Sequence, residues 1–318
     1  MSNNQPFPSD PELTAISIAY RNPDQALISD LAVPRVSPIG KSQYKYYEFP
    51  LAQGFTIPET LVGRRSQPNE INFSAEEKDG STKDHALDSS IPQDDIDDAR
   101  AGGGKIDPVK NAVETVTDLV TLARESRVAK MVFNTNYYPA ANKVALVGTA
   151  RLNDFANSDP VTVFQTAVST PIGARPNVAV FGGAVWDKVR VHPKIVAHCY
   201  GAASTRGYVS KEDLAAAFEL DEILVGKARY NTANRGQAAS LGYIWGKSIS
   251  FMYRDRSATN GNGKVTFALQ IPRGTRQAGV QADGDIGARG GQRVRVWESQ
   301  SEHVVCPDAG YLISTAID

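Results

Sequence analysis

The chain has 318 residues, with 34 Lys plus Arg against 35 Asp plus Glu and a formal net charge of −1. That balance excludes a general nucleic-acid coat of histone type and an acidic disordered tail, while 41% hydrophobic and 22% charged residues suit a folded protein of one large or two to three modest domains. Cys199 and Cys306 are too far apart for a ligand cluster and too few for a disulfide framework, so a reducing site of folding is expected. The first residues lack the basic start and apolar run of a secretory signal. Nowhere do about 18 apolar residues run together, so no membrane span is expected.

Residues 1 to 50 read as an extended arm, because Pro6, Pro8, Pro11, Pro23, Pro34, Pro38 and Pro50 remove donors and fix φ too often for long helices or central strands. Its apolar pieces, Leu13 to Ala19 and Ala26 to Val33, are expected to dock on another surface. YKYYEFP, FTIPETLVG and NEINFS, with Ile71 and Phe73 alternating, are β-like. Residues 76 to 100 then hold nine acidic side chains against Lys78, Lys83 and Arg100, a net of −6, and predict a two-stranded excursion with a polar tip. After Gly102-Gly103-Gly104, Asp107-Pro108 is an N-cap with Pro at the first helical position. Val109, Ala112, Val113, Val116, Leu119, Val120 and Ala123 follow at helical spacing, and the pattern runs to Asn134, about 40 Å of helix.

An α/β body is predicted from about 150 to 255. It has a strand at KVALVG just before it, a helix opening at Asp159-Pro160, a buried strand NVAVFGG, a helix broken at His192-Pro193, a capped helix from Ser210 with Asp213, and strands DEILVGKARYN and YIWGKSISFMYRD. The glycine-rich stretch 256–292 predicts loops and β-ribbon, and RVRVWESQ, EHVVC and GYLISTA predict three short strands.

Chemical motifs are weak. Gly40-Lys41-Ser42 and Gly246-Lys247-Ser248 lack the earlier glycine of a phosphate loop, whose place is held by Arg35 and Leu241, with Gly242 one residue out of register. His85, His192, His198 and His303 have no metal-ligand spacing, since His192 and His198 lie six apart. No catalytic signature is present, so no enzyme, cofactor or metal is expected. The charge pattern carries more: Arg273, Arg276, Arg289, Arg293 and Arg295, offset by Asp283 and Asp285, give a late net of +3 that complements the acidic stretch. Either both are solvated surfaces or they meet between subunits. An arm, an acidic hairpin and a glycine-rich loop projecting from one modest core lose entropy on ordering and gain sense if neighbours complete them.

This order of elements resembles the major capsid proteins of tailed bacteriophages with the Hong Kong 97 fold, in particular those of Mu-like phages and related siphophages. The resemblance covers nearly the whole chain. It is carried by DLAVPRV (30–36), YKYYEFP (44–50), the helix at 107–133, RPNVAVFGGAVWDKVRVHP (175–193) and ILVGKARYNTANRGQAASLGYIWGKSISFMY (223–253), with its Ile-Trp-Gly strand.

The resemblance implies an α+β fold with an N-terminal arm at 1–45, an extended loop at 46–100, a spine helix and peripheral domain at 101–171, an axial domain at 172–290, and C-terminal strands at 291–318 returning to the peripheral domain. It implies a shell protein whose pentamers and hexamers tile an icosahedral head around double-stranded DNA that is confined without sequence-specific binding, in a virion assembled in the bacterial cytoplasm. A separate scaffold, a portal and a decoration protein are the implied partners; because the chain goes straight into arm sequence without a long scaffolding segment, the resemblance implies either that separate scaffold or a chain in its mature form only. Asp94, Asp95, Asp97 and Asp98 are expected to meet a neighbouring subunit, with Arg293 and Arg295 as first candidates. Lys–Asn cross-links join some relatives; Lys78 and Lys83 are available here but no Asn partner is identifiable, so none is expected. A cellular nanocompartment shell of the same fold, enclosing enzymes, is the alternative. An α/β enzyme for a nucleotide or sugar phosphate is a third reading, favoured only by the defective Gly-Lys-Ser triplets.

Overall fold

The structure is a computed structural model that describes residues 7–19, 27–48, 57–70, 76–101, 107–202, 204–234, 236–259 and 264–318. The arm carries α1 (Pro11–Ala19) and α2 (Ser29–Ala32), followed by β1 (Gln43–Glu48), β2 (Glu76–Ser81), β3 (Lys83–Pro92) and α3 (Gln93–Ala101). The long helix α4 (Pro108–Val132) leads to β4 (Lys143–Ala145), α5 (Pro160–Ser169), β5 (Val178–Gly182), α6 (Gly183–Val189), α7 (Pro193–Tyr200) and α8 (Lys211–Ala217). The chain ends with β6 (Glu222–Gly226), β7 (Arg229–Asn231), β8 (Leu241–Tyr243), β9 (Ile249–Met252), β10 (Ala268–Asp283), β11 (Gly291–Val304) and β12 (Gly310–Ser314).

Helix α4 starts where its cap residues place it: the Asp107 carboxylate accepts from the Val109 amide at 2.9 Å, and Pro108 occupies the first turn. Its buried side chains recur every three or four residues and face two different sheets. Ala112, Val113, Val116 and Val120 pack with Leu13 of α1, Ile91, Ile96, Ala278, Val294 and Val296 on the three-stranded sheet β10-β11-β3. Val128, Ala129 and Val132, two turns on, pack with Val178, Val180, Leu224 and Met252 of the five-stranded sheet β4-β12-β9-β5-β6. Helices α5 to α8 cover the other face of that sheet through Phe164, Val185, Ile195 and Leu214, so β5 is buried along its whole length. One helix therefore spans both sheets.

The break at His192-Pro193 divides α6 from α7, where the His192 ring accepts from the Lys194 amide at 3.2 Å as the N-cap of α7. At α8, Ser210 accepts from the Asp213 amide at 3.1 Å, and the Asp213 carboxylate takes the Ser210 hydroxyl at 2.7 Å.

Several expectations are corrected. The acidic stretch is not one two-stranded excursion: β2 pairs with β1 in a separate hairpin, β3 is the edge of the three-stranded sheet, and 93–101 is helical, because Ile91 and Ile96 are buried under α4. RVRVWESQ and the first half of EHVVC are one continuous strand, β11, which ends at Val304 and pairs antiparallel with the long β10 across an irregularity between Arg273 and Gln277. Strand pairing crosses the positions 172 and 290, since β10 joins β11 and β3 while β4 and β12 join the five-stranded sheet. Ile71 and Phe73 lie outside the described residues.

The arm also differs from expectation by docking on its own chain. Thr14 exchanges hydrogen bonds with the Ala278 backbone, and residues 34 to 39 run parallel to β10 through Gln270 N to Pro34 O, Val36 N to Gln270 O and Ile39 N to Pro272 O, each 2.9 Å. Leu13, Ile28, Ala32, Val33 and Val36 are buried there. The prolines kept the described helices of this arm short, α1 opening on Pro11 itself, and did not prevent burial.

Candidate functional site

The hairpin β1/β2 is half-exposed along both of its strands. Its strands pair from Gln43↔Ser81 to Glu48↔Glu76, and its foot is held by two aromatic rings. The Tyr44 hydroxyl meets Ser301 in a short hydrogen bond and His303 Nε2 at 2.6 Å, while the Tyr46 ring stacks on His303 with centroids 4.3 Å apart. Gly80 lies under the Tyr44 ring, where any Cβ would collide with it. Burial, partly offset by Glu302 and reinforced by Lys83, lowers the His303 pKa.

Beyond the foot, the described residues 57–70 are exposed apart from half-buried Pro58, and Ile57 and Leu61 are 95% and 84% exposed. Large aliphatic side chains held in water on a projecting loop are what a partner surface covers.

The acidic and basic residues singled out from the sequence meet largely within the subunit. Register sets Arg295 opposite Asp88 on β3, and the two form a bidentate pair, 2.7 Å in both bonds, with the guanidinium also 4.4 Å from the Phe7 ring centre. Arg293 donates to Asp283 at 2.8 Å and lies 3.8 Å from Asp88, and Arg289 donates to Asp94 at 2.9 Å. Asp97 accepts from Gln93 at 2.8 Å, whereas Asp95 and Asp98 are exposed on α3. Arg293 and Arg295 are thus engaged by Asp88 and Asp283, not by the acidic helix. Charge counting found the complementary sets but could not place Asp88, whose partner depends on strand register.

The remaining motifs have local duties. The Gly246 turn adopts φ +48° and its Lys247 carbonyl accepts from Ala316 at 2.8 Å, so it closes the sheet and forms no phosphate cradle. His192 bonds Ser158 at 3.0 Å. No disulfide joins Cys199 and Cys306, and burial pushes the Cys306 thiol up to about 12. Among the described residues no group of three His, Cys, Asp or Glu could hold a metal ion, and no helix is long and apolar enough to cross a membrane.

Sequence reasoning missed the ionic core under α4. Glu298 on β11, buried, accepts from Arg124 at 3.2 Å and Arg276 at 3.3 Å, and Arg124 also binds Asp30 of the arm at 3.0 Å. The charged residues at positions 124, 125 and 127 inside an otherwise apolar helical stripe were the available signal.

No family model matches the chain. A full-length comparison decides the matter: the chain is 48% identical over 315 residues, 99% of both chains, to a major capsid protein of Pseudomonas phage JBD67. This chain belongs to the phage major capsid protein family. A major capsid protein of Burkholderia phage BcepMu is 29% identical over 247 residues, covering 77% of this chain and 76% of that one, which places a Mu-like phage among the relatives. Among solved structures, a phage-related protein from Bordetella bronchiseptica matches with a TM-score of 0.73 at 25% identity over 98% of both chains. The capsid of cyanophage P-SCSP1u matches in fold with a TM-score of 0.56 at 12% identity, over 93% of this chain and 89% of that one. The capsid fold is the Hong Kong 97 type expected from the sequence, with α and β elements both present. In a capsid protein the bare hairpin and the long helix are elements of a shell subunit.

Proposed function

We propose that this capsid protein builds the wall of an icosahedral phage head, as pentamers and hexamers closed around double-stranded DNA, and has a structural rather than catalytic task. The carrying observation is the full-length 48% identity to a phage major capsid protein. The hairpin supports it, since the segment between its strands holds Ile57, Leu61 and Val62 that its own subunit leaves in water. In this reading the three-stranded sheet with α1, α3 and the first half of α4 is the peripheral domain, the five-stranded sheet with α5 to α8 is the axial domain, and β1/β2 is the extended loop. The near-neutral charge suits a wall that confines DNA without gripping it.

Assembly in the bacterial cytoplasm, with a separate scaffold and a portal and a decoration protein on the finished head, completes the proposal. Asp94, Asp95, Asp97 and Asp98 meet a neighbour in it through the carboxylates exposed on α3, and Arg293 and Arg295, partly exposed beside Asp88 and Asp283, are the first candidates on the neighbouring surface. No Lys–Asn cross-link forms, and a ladder on a denaturing gel of particles would contradict this.

Negative-stain electron microscopy of the expressed chain, with its scaffold where one is required, is expected to show closed shells. Double-stranded DNA within heads from infected cells supports the phage head, whereas protein cargo with no nucleic acid would favour the nanocompartment. Charge reversal at Asp95 and Asp98 is expected to lower shell yield while soluble subunit stays constant; unchanged yield would remove the acidic helix from the interface.

A further inference from the structure

The Ile-Trp-Gly motif, read from the sequence as part of a strand, forms a turn, and its tryptophan has no task in the shell reading. Trp245 sits in the turn between β8 and β9 and is fully buried. It fills a notch made by two paired glycines: Gly182 ends β5 opposite Gly226 at the end of β6, a Cβ on Gly226 would overlap the indole, and one on Gly182 would overlap the carbonyls of Trp245 and Gly246. Phe133, the residue that ends α4, meets the indole edge-on at 5.4 Å. So seated, the indole N–H reaches out of the five-stranded sheet and donates to Glu125 Oε1 of α4 at 2.6 Å.

Glu125 is buried, and its two oxygens take two further donors, both from the arm: Ile28 N to Oε1 and Ser29 N to Oε2, each 2.8 Å. One carboxylate therefore receives hydrogen bonds from the axial-side sheet and from the arm while riding on the helix that spans both sheets. The same arm segment is gripped from the other sheet, where the Gln270 amide on β10 donates to the carbonyls of Ser29 at 3.2 Å and Val33 at 2.8 Å. From the five-stranded side Arg254 donates to the Leu31 carbonyl and to Glu222, the latter at 2.8 Å.

We propose that Trp245 and Glu125 are positioning residues for assembly: through the Gly182/Gly226 notch and arm residues 28–33 they fix the angle at which the two sheets sit on α4, and so the curvature of the shell. The Glu125 carboxylate, bonded on both oxygens, holds a discrete arrangement rather than a graded one, because a buried carboxylate that loses a donor leaves an acceptor unsatisfied. The inference rests on the shell reading, because an angle within the subunit sets curvature only when copies tile.

The test uses the full chain carrying Trp245→Phe, which keeps most of the ring and removes the N–H, and Glu125→Gln, which keeps the shape but presents an N–H to one arm amide. Both variants are compared with the unmodified chain in conditions in which that chain forms closed shells. Hydrogen exchange on unassembled subunits is expected to rise about tenfold at the Ile28 and Ser29 amides in both variants, the scale of one lost hydrogen bond to a charged group. Electron microscopy is expected to show shells of mixed diameter or open sheets from Trp245→Phe at undiminished soluble yield. Shells of unmodified diameter with unchanged exchange would overturn the proposal. Insoluble Trp245→Phe would overturn it too, since the bond would then support the fold and not an angle. An unmodified chain that never forms shells instead sinks the shell reading, and the exchange measurement still reports on the joint.

Discussion

Glu298 gathers more positive charge than any other carboxylate described in the ionic core: two bonded guanidiniums, Arg124 and Arg276, and a third, Arg127, at 3.8 Å. Because it is only 1% exposed, removing it strands buried cations rather than merely losing an attraction. Glu298→Ala is expected to cost about 3–5 kcal/mol, read as a lower urea midpoint at constant slope. A second consequence concerns pH. His85, His192 and His303 are each held below the ordinary value of 6.5, by burial first. The unfolded chain therefore takes up these protons before the folded one, so stability is full above about pH 6.5 and falls as pH drops through the window between the unfolded and folded values. The carboxylates of Asp159, Asp213 and Asp283, lowered by hydrogen bonds, act further down: their contribution is present above 3.8 and is lost as pH falls through their folded values. His303→Gln is expected to flatten the upper limb in pH-dependent urea unfolding, and an unchanged slope would remove His303 from that limb.

At the scale of elements, α4 shows what a sequence can reveal. Its start follows from Asp-Pro and its faces from spacing, both local, and Asp107→Ala is expected to cost about 1 kcal/mol in thermal unfolding because the Val109 amide loses its acceptor. Helices α5 and α7 were readable for the same reason, each opening at a proline after a polar residue. Strand β3 was not, because as an edge strand it buries only Ile91 and shows no apolar alternation, so its acidic content suggested a solvated tip. The length of β11 was hidden by Ser299, Gln300 and Ser301, polar residues that read as a break yet lie in the ladder beside β10. The candidate site shows the same division. Opposite charges were visible as sums, but Asp88 with Arg295 needed register, and Trp245 with Glu125 needed the fold to bring together residues 120 positions apart.

For the whole molecule, an arm expected to lie on a neighbour but found docked on its own subunit leads to a sharper division of labour. Leu13, Ile28, Ala32, Val33 and Val36 of the arm are buried on their own subunit, so the sequence argument from unsupported appendages now falls most heavily on the hairpin. That element can be separated from the fold by design. Glu48 and Glu76 are directly paired at the outer end of the β1/β2 ladder, so replacing residues 49–75 with Asn-Gly closes the ladder with a two-residue turn of matching twist. The foot contacts of Tyr44 and Tyr46 with His303 are untouched. Shortening a loop lowers its closure entropy by only about 0.6 kcal/mol per halving, so the subunit is expected to unfold at the same temperature or slightly higher. Ile57, Leu61 and their neighbours would be gone, however, and with them the apolar surface that a second subunit would cover. The shortened chain is therefore expected to remain a soluble folded subunit by circular dichroism and sedimentation while electron microscopy finds no closed particles. Normal heads from it would mean that the hairpin tip is dispensable and that the lattice is held by the sheets and the long helix.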